Sequence, residues 1–442
     1  MGLNRSTGRI QRRGHKARLY PSTSQETVLD GQAHAARAIW NLLHEWYTCR
    51  DGGIAKRPPI AEMDRQLRDA RIKPLPDWEW LNDLPAQAMQ QILKHYLHAW
   101  DRYFRGVAGP PRFKRRRYNM GVDVPQAAKL KVKRLNRRWG RVQIPFLGQV
   151  RFRWSRPLPG YSRDCPGRIT GARLVRNSLG WHICFRIEQP AVEVTPNPGP
   201  PVGIDRGVIH TLALSDGRAL DMPSLLTPGE RRRLLGLQRK AARQQVATRR
   251  SSNQDKLKPS ISSRHLQTTA QIAALRDREA RRREDWLHKT TTDLAKSHGL
   301  IGVENLRVAN MTRSAHGTIQ QPGRNVRAKA RLNRSILGMA WGEAERMLAY
   351  KCPLFGGTLV KVDPRNSSIE CAWCGHVAKE NRVSQAAFRC VVCGHLANAD
   401  TNAAQVVLKR GLTARSGATP GCGGTAREAR ATVPHREPFS LR

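Results

Sequence analysis

Over the first 190 residues the spacing of apolar positions changes repeatedly, and each change predicts an element. Ala17-Arg18-Leu19-Tyr20, closed by Pro21, reads as a strand. Behind it Ser22 or Thr23 offers a helix cap, with Gln25 or Glu26 three residues on to complete a capping box. Val28, Leu29, Ala36, Ile39, Leu43 and Trp46 then recur at helical spacing. A second helix is expected after Pro85, with Met89, Ile92, Leu93, Tyr96, Leu97, Trp100 and Phe104 as its packing stripe. From Arg141 to Glu188 the period shortens to two: Val142, Ile144 and Phe146, then Val150, Phe152 and Trp154, then Trp181, Ile183, Phe185 and Ile187. These are half-buried strands. With the N-terminal strand they suggest a small antiparallel barrel into which the two helices are inserted.

The Pro-rich segment Pro190 to Pro201 reads as a linker and domain boundary. After it, Pro201 to Val208 predicts a buried strand ending in the carboxylate of Asp205, and Ser215-Asp216-Gly217 the turn of a hairpin. Thr227-Pro228-Gly229-Glu230 supplies a cap, a proline at the first helical position and a glutamate at the third. Two Arg/Lys-rich helical stretches then run towards Ser297, broken near Pro259. Gly299 to Glu304 is a second buried strand ending in a carboxylate, Arg331 to Lys351 one further helix, and Gly357 to Val362 a strand. Asp400 opens a short helix through Val407, and the Gly-, Thr-, Arg- and Pro-rich end, with a lone Cys422, is expected to be disordered.

Charge changes the picture. The chain has 78 Lys and Arg against 34 Asp and Glu, a formal net charge of +44 over 442 residues. Self-repulsion on that scale calls for a polyanionic partner, and nucleic acid is the natural one. The rival, a membrane-surface protein, finds no support, because no run of about 18 apolar residues and no signal peptide is present. A soluble, cytoplasmic protein is expected, in which thiols stay reduced and can ligate metal. The loop Gly109-Pro-Pro-Arg112-Phe113-Lys114-Arg115-Arg116-Arg117-Tyr118 interleaves aromatics with cations, which suits stacking on bases and pairing with phosphates and suits a solvated charged linker equally.

Four of the nine cysteines are paired: Cys371-Ala-Trp-Cys374-Gly and, fifteen residues on, Cys390-Val-Val-Cys393-Gly. Two such knuckles place four thiolates where they close a tetrahedral zinc site, and each following glycine lets the backbone turn its amides towards the sulfurs. Four thiolates leave no position open for water, so this zinc is structural. Three acids, Asp205, Glu304 and Asp400, leave a strand end or open a helix and could converge at one edge of a mixed sheet. Convergent carboxylates repel one another, and a pair of Mg²⁺ ions, or Mn²⁺, would offset that repulsion and activate water for phosphodiester hydrolysis. Taken singly, each is also explained as a turn former, and Asp400 as a helix cap. No Gly-x-x-x-x-Gly-Lys-[Ser/Thr] loop is present, so nucleotide hydrolysis is not part of the chemistry.

Gly203-Ile-Asp205-Arg-Gly-Val, Val303-Glu304-Asn-Leu, the two Cys-x-x-Cys-Gly knuckles and Asp400-Thr-Asn-Ala-Ala resemble the ordered signature of the TnpB family, transposon-encoded RNA-guided nucleases ancestral to type V CRISPR effectors. Lys16 to Pro21 is similar to the family's opening strand, Gly109 to Lys114 to its basic loop, Trp286-Leu-His-Lys to its bridging helix, and Trp341-Gly-Glu with Tyr350-Lys to the helix before the ribbon. The resemblance spans about residues 15 to 410.

It implies a multidomain α+β fold: an oligonucleotide-binding-like wedge β-barrel with a helical recognition insert, then a RuvC-like nuclease of the ribonuclease H fold with an inserted zinc ribbon. On this numbering it implies an N-terminal tail and first strand over 1–20, the recognition domain over 21–118 and the wedge over 119–195. The nuclease takes 196–363 and 397–410, the ribbon 364–396, and a tail 411–442. The corresponding catalytic, Mg²⁺-binding acids are Asp205, Glu304 and Asp400, and the zinc ligands Cys371, Cys374, Cys390 and Cys393. Nucleic acid would be met by Gln90, Arg112, Lys114, Arg115, Arg116 and Arg117. The implied partners are a guide RNA, held by one or two copies of the chain, and a double-stranded DNA target. Ala86 and Ala399 depart from residues found in relatives, Lys and Arg respectively. A compact type V CRISPR effector, a non-catalytic zinc-ribbon nucleic-acid-binding protein and a three-carboxylate transposase are the alternatives.

Overall fold

In a computed structural model describing residues 10–49, 59–73, 76, 78–115, 120–161, 166–191, 193–255, 262–318 and 320–416, the opening strand is longer than its apolar core. It is β1 (Ile10–Tyr20), in which His15, Ala17 and Leu19 alternate inward. Ser22 caps α1 (Thr23–Thr48). Its hydroxyl accepts from the Gln25 amide at 3.3 Å, and the Gln25 side chain accepts from the Ser22 amide at 3.0 Å, the reciprocal box expected there. Leu29, Ala36, Ile39 and Leu43 of the stripe are buried, while Val28 faces solvent. Next comes α2 (Ile60–Ile72), a helix not expected from the sequence, and then α3 (Ala86–Phe104). Edge-on aromatic pairs, Trp40 with Tyr96 at 5.3 Å and Tyr47 with Trp100 at 4.6 Å, lock α1 to α3.

The strands that follow are β2 (Val122–Val124), β3 (Val132–Arg134), β4 (Trp139–Ile144), β5 (Gly148–Arg153), β6 (Arg168–Asn177) and β7 (Gly180–Pro190). With β1 they form a seven-stranded sheet in the order β2-β6-β7-β1-β5-β4-β3, antiparallel throughout. The sheet turns its corner within β1, whose residues 10–18 pair with β7 while Leu19 and Tyr20 pair with β5. Among the described residues no pairing joins the edge strands β2 and β3, so hydrogen bonds do not close the sheet into a ring. Gly140 is needed where it stands, since a methyl there would collide with the rings of Phe152 and Trp154. One continuous apolar core joins this sheet to the three helices.

Chain contacts divide the molecule into two units, Met1–Glu193 with Leu226–Arg281, and Val194–Leu225 with Arg282–Arg442. The first unit thus also holds α4 (Pro228–Asp255), opened by a reciprocal Thr227–Glu230 capping box, and the start of α5 (Ser263–Ser297). Leu226, Leu234 and Leu275 form a small core between these two helices.

The second unit is built on β8 (Val202–Asp205), β9 (Leu212–Leu214), β10 (Ala219–Leu220), β11 (Leu300–Glu304) and β12 (Thr358–Val362), in the order β10-β9-β8-β11-β12. β8, β11 and β12 run parallel, and β9 and β10 return antiparallel. Between β11 and β12 come α6 (Val308–Met311), α7 (Val326–Met339) and α8 (Trp341–Leu354). The single helix expected over 331–351 is therefore two, broken where Ala340 takes a left-handed φ of 54°. The zinc-knuckle segment carries the hairpin β13 (Ala387–Arg389) and β14 (Leu396–Asn398), and α9 (Ala399–Arg415) ends the described chain. The helix expected to stop at Val407 runs on to Arg415, so residues 411–415 of the tail expected over 411–442 are its last turn, and the tail beyond 416 lies outside the described residues.

Strand alternation decides how α9 packs. Val202, Ile204, Ile301 and Val303 join Leu294, Leu348 and Cys352 in the core on one face. The intervening positions, Gly203 and Gly302, lie under α9. A methyl on Gly203 would collide with the Ala404 carbonyl, and one on Gly302 would come within 3.1 Å of the Val407 carbonyl. Glycine at both positions lets the helix backbone sit directly on β8 and β11. Among the described residues no helix is long and apolar enough to cross a membrane.

Candidate active site and zinc centre

Period-two alternation that points Gly203 and Gly302 at α9 points Asp205 and Glu304, two residues on, to the same side. Both are the last residues of adjacent parallel strands, and Asp400 stands in the first turn of α9, which lies across them. The structure thus gathers the three acids at one sheet edge. The cap of α9 is Asn398, whose Oδ1 accepts from the amides of Asp400 at 3.0 Å and Thr401 at 3.2 Å, so the Asp400 carboxylate is not spent on capping.

Burial first, then the charges of Glu304 and Asp400, push the Asp205 carboxyl up to about 7, against the weaker pull of the Arg206 amide and Arg382. Glu304 is 6 % exposed, and its Oε1 accepts from Ser367 Oγ at 2.6 Å. Arg382 Nη2 lies 3.6 Å from Asp400 Oδ1. Three oxygen-donor side chains brought together, one of them raised by burial and by the charges of the other two, are suited to hard divalent cations. Among the described residues the four cysteines are the one group of three or more metal-binding side chains whose ligand atoms all lie within 4.8 Å of one another.

In that cysteine cluster, Sγ of Cys371 and Cys393 are 3.7 Å apart and those of Cys374 and Cys390 3.6 Å. A tetrahedral zinc with Zn–S bonds of about 2.3 Å needs sulfur–sulfur edges of about 3.8 Å, so the four thiols fit. Gly375 and Gly394 take φ of 79° and 72°, and their amides donate to the carbonyls of Cys371 and Cys390. The amides of Cys393 and Val392 turn towards Cys390 and hold its thiol down, while the neighbouring sulfurs push the Cys393 thiol up, as expected of four thiols crowded round one point. Asn381, fully buried, donates to the carbonyls of Ile369 and His376 and accepts from Val391, tying the two knuckles together. Asn402, fully buried on α9, accepts from Ala372 and donates to the Glu370 carbonyl, so the cysteine segment and the acid-bearing helix are one hydrogen-bonded body.

The nucleic-acid candidates lie in the first unit. Gln90 is exposed on α3. The basic loop is seated on α1: Trp40 Nε1 donates to the Arg112 carbonyl at 3.1 Å, Asn41 exchanges two bonds with the backbone of Lys114, and Phe113 meets His44 edge-on at 4.6 Å. Lys114 Nζ lies 4.5 Å over the Trp40 ring and is half-buried, which pulls its pKa down, while Arg112 and Arg115 are exposed. Arg116 and Arg117 lie outside the described residues.

Several residues around these sites carried no signal that sequence reasoning singled out. Arg206 and Glu345 form a buried ion pair beside the acids, Ser367 binds Glu304, and Asn381 and Asn402 brace the knuckles. Only the conjunction of a polar residue with a glycine-rich motif, as in Gly203-Ile-Asp-Arg206-Gly, could have drawn attention to the first of them.

Comparison with known proteins gives two family matches, “Cas12f1-like, TNB domain” over residues 341–407 and “Probable transposase” (OrfB_IS605) over residues 182–315. The chain is 36% identical over 397 residues to “Putative RNA-guided DNA endonuclease InsQ” of Escherichia coli (strain K12), covering 90% of this chain and 91% of that protein. It is 26% identical over 408 residues to “Putative RNA-guided DNA endonuclease” of Streptomyces pristinaespiralis, covering 91% and 90%. In fold it is similar to Cas12f1 as solved by cryo-EM with sgRNA and target DNA, with a TM-score of 0.51 over 90% of this chain and 98% of that one at 14% identity. With glycines seating α9 on β8 and β11, three acids at that edge, and a relative this similar along nine-tenths of its length, the chain belongs to the TnpB/OrfB (IS605) family of RNA-guided DNA endonucleases, related to Cas12f.

Proposed function

We propose that this chain cuts DNA strands matched to a bound guide RNA, next to a short flanking motif, at one RuvC-like site formed by Asp205, Glu304 and Asp400. The observation that carries this reading is the shared face of Gly203 and Asp205 on β8 and of Gly302 and Glu304 on β11, with Asp400 in the first turn of the helix lying on that face. The strand order β10-β9-β8-β11-β12, with an antiparallel hairpin beside parallel strands, supports a ribonuclease H fold for the second unit. The seven-stranded sheet is then the wedge, the helices over 21–118 the recognition insert, and 364–396 the ribbon within the nuclease.

Two Mg²⁺ ions, when bound, supply an activated water and stabilisation of the leaving oxygen. The chain's own residues hold the geometry. Asp205 and Glu304 present carboxylates from strand ends whose ladders fix them, Ser367 orients Glu304, and α9 brings Asp400 across. Arg382 sits where it can meet a phosphate drawn to Asp400. The four cysteines hold a structural zinc that keeps the ribbon folded onto α9 through Asn402. Guide RNA and target backbone are held by the basic surfaces of the first unit, the exposed Arg112 and Arg115 among them, and base pairing reads the sequence.

Sequencing the RNA that co-purifies with the full chain identifies the guide. A plasmid carrying the matched target beside a randomised flank should then be cut only when flank and guide agree. Origin of that RNA at a transposon end, as opposed to a CRISPR array, completes the reading. Cutting that is indifferent to the guide would overturn it.

A further inference from the structure

The last recorded pairs between β8 and β11 are Gly302 with Gly203 and Val303 with Ile204, so Asp205 and Glu304 stand one step beyond the ladder that joins their strands. Outward, both remain paired, Asp205 with Ala213 and Glu304 with Val362. Between them the bond is made by a side chain. Arg206 Nη2 donates to the Glu304 carbonyl, and Nη1 donates to Glu345 Oε2 at 2.9 Å. Glu345, near the start of α8, is also paired with Lys361 on β12, and these two cations hold its carboxyl below the usual range despite its partial burial. The Arg206 side chain is 2 % exposed, and its Nε is buried with no hydrogen-bond partner. A buried ion pair with one donor unmet is a poor source of stability, because desolvation consumes most of its attraction. Its clear product is geometric.

We propose that Arg206, clamped by Glu345, is a positioning residue that fixes the separation of Asp205 and Glu304 for the divalent cations they hold. The inference rests on the reading of these acids as the catalytic site. Repulsion pushes the two carboxylates apart when cations are absent, and each cation pulls them together when present. Mg²⁺ tolerates little error in either direction, since it demands near-ideal octahedral geometry at about 2.0 to 2.1 Å. One residue reaches both sides: Arg206 follows Asp205 directly in the chain, and its guanidinium holds the backbone of Glu304.

The test uses the full chain with its co-expressed RNA, with Mn²⁺ as the probe, its affinity read by electron paramagnetic resonance and cleavage read against Mg²⁺ concentration. Arg206→Gln should weaken Mn²⁺ binding by roughly 10-fold, the scale on which residues that orient metal ligands act. The Mg²⁺ needed for half-maximal cutting should rise with it, with most of the rate recovered at saturation and target binding in a gel shift unchanged. Glu345→Gln, which frees the clamp and leaves the Glu304 contact, should move both readings the same way by less, and Arg206→Lys should restore part of the loss. Native Mn²⁺ affinity in folded Arg206→Gln overturns the inference; if that variant does not fold, native affinity in Glu345→Gln and Arg206→Lys overturns it. Asp205→Asn is the control. Should it too keep native Mn²⁺ affinity, the reading of the acids has failed; should it alone lose affinity, only the role of Arg206 has.

Discussion

Replacing Asp205 by Asn asks whether the three carboxylates are held against one another as the geometry requires. The Asp205 carboxyl is raised from 3.8 to about 7, chiefly by burial and then by Glu304 and Asp400. The folded chain therefore keeps a proton there that the unfolded chain has already released. The sign follows: this group's contribution to stability is greatest below pH 4, falls as pH rises towards 7, and is flat above that. The whole difference corresponds to roughly 4 kcal/mol, and water reaching this half-buried carboxyl should leave about half of it. In Mg²⁺-free buffer at pH 8, with zinc retained, Asp205→Asn should thus melt higher than the wild type by about 4 to 8 °C in the transition of the unit that contains it. The gap should narrow at pH 5. Added Mg²⁺ should raise the wild type more than the variant, because binding to the folded state alone stabilises it. A variant no more stable than the wild type at pH 8, or one stabilised equally by Mg²⁺, would refute the reasoning.

Three further outcomes follow from the same contacts. Cys390→Ser leaves three thiolates on a segment whose own core is Cys371, Phe388, Cys390 and Ala399, so metal analysis should find zinc lost and cleavage assays a parallel loss of cutting. Gly203→Ala drives a methyl into the Ala404 carbonyl and should lift α9, costing stability by about 2 kcal/mol or more in a melt and lowering cleavage more than guide binding. Affinity for guide RNA should fall steeply between low and moderate salt, and a nearly flat dependence would contradict an electrostatic role for the +44 charge.

The parts of the molecule legible in the sequence are those where one local rule dominates. Ser22 with Gln25 fixes a helix start by two hydrogen bonds, and strict alternation marks β5 and β7. Cys-x-x-Cys-Gly followed by another knuckle leaves little freedom, and the two glycines do take positive φ. Where no local rule dominates, the sequence is silent. Helix α2 buries only Met63 and Leu67 and owes its order to packing against the rest of its unit. The break at Ala340 falls on an alanine, a good helix former, and the glycines two residues to either side, Gly338 and Gly342, lie inside α7 and α8 and do not mark it. Acids at the ends of β8 and β11 could be found from apolar runs that stop in a carboxylate, but their common face depends on strand parity and on where α9 lies. The contacts of Arg206 with Glu345 and of Asn402 with the knuckles join residues more than a hundred and about thirty positions apart, which no periodicity encodes.

The central claim, that one site made of Asp205, Glu304 and Asp400 cuts guided DNA, is met most directly by a cleavage gel run beside a gel shift on the same RNA-loaded samples. Asp205→Ala, Glu304→Ala and Asp400→Ala should each abolish cutting of a matched double-stranded target in Mg²⁺ while guide and target binding persist, since removing one carboxylate from a two-metal site costs chemistry and leaves the RNA-binding surface intact. Full cutting by any one of the three variants, or a wild type that binds its matched target under Mg²⁺ and never cuts it, would contradict the account.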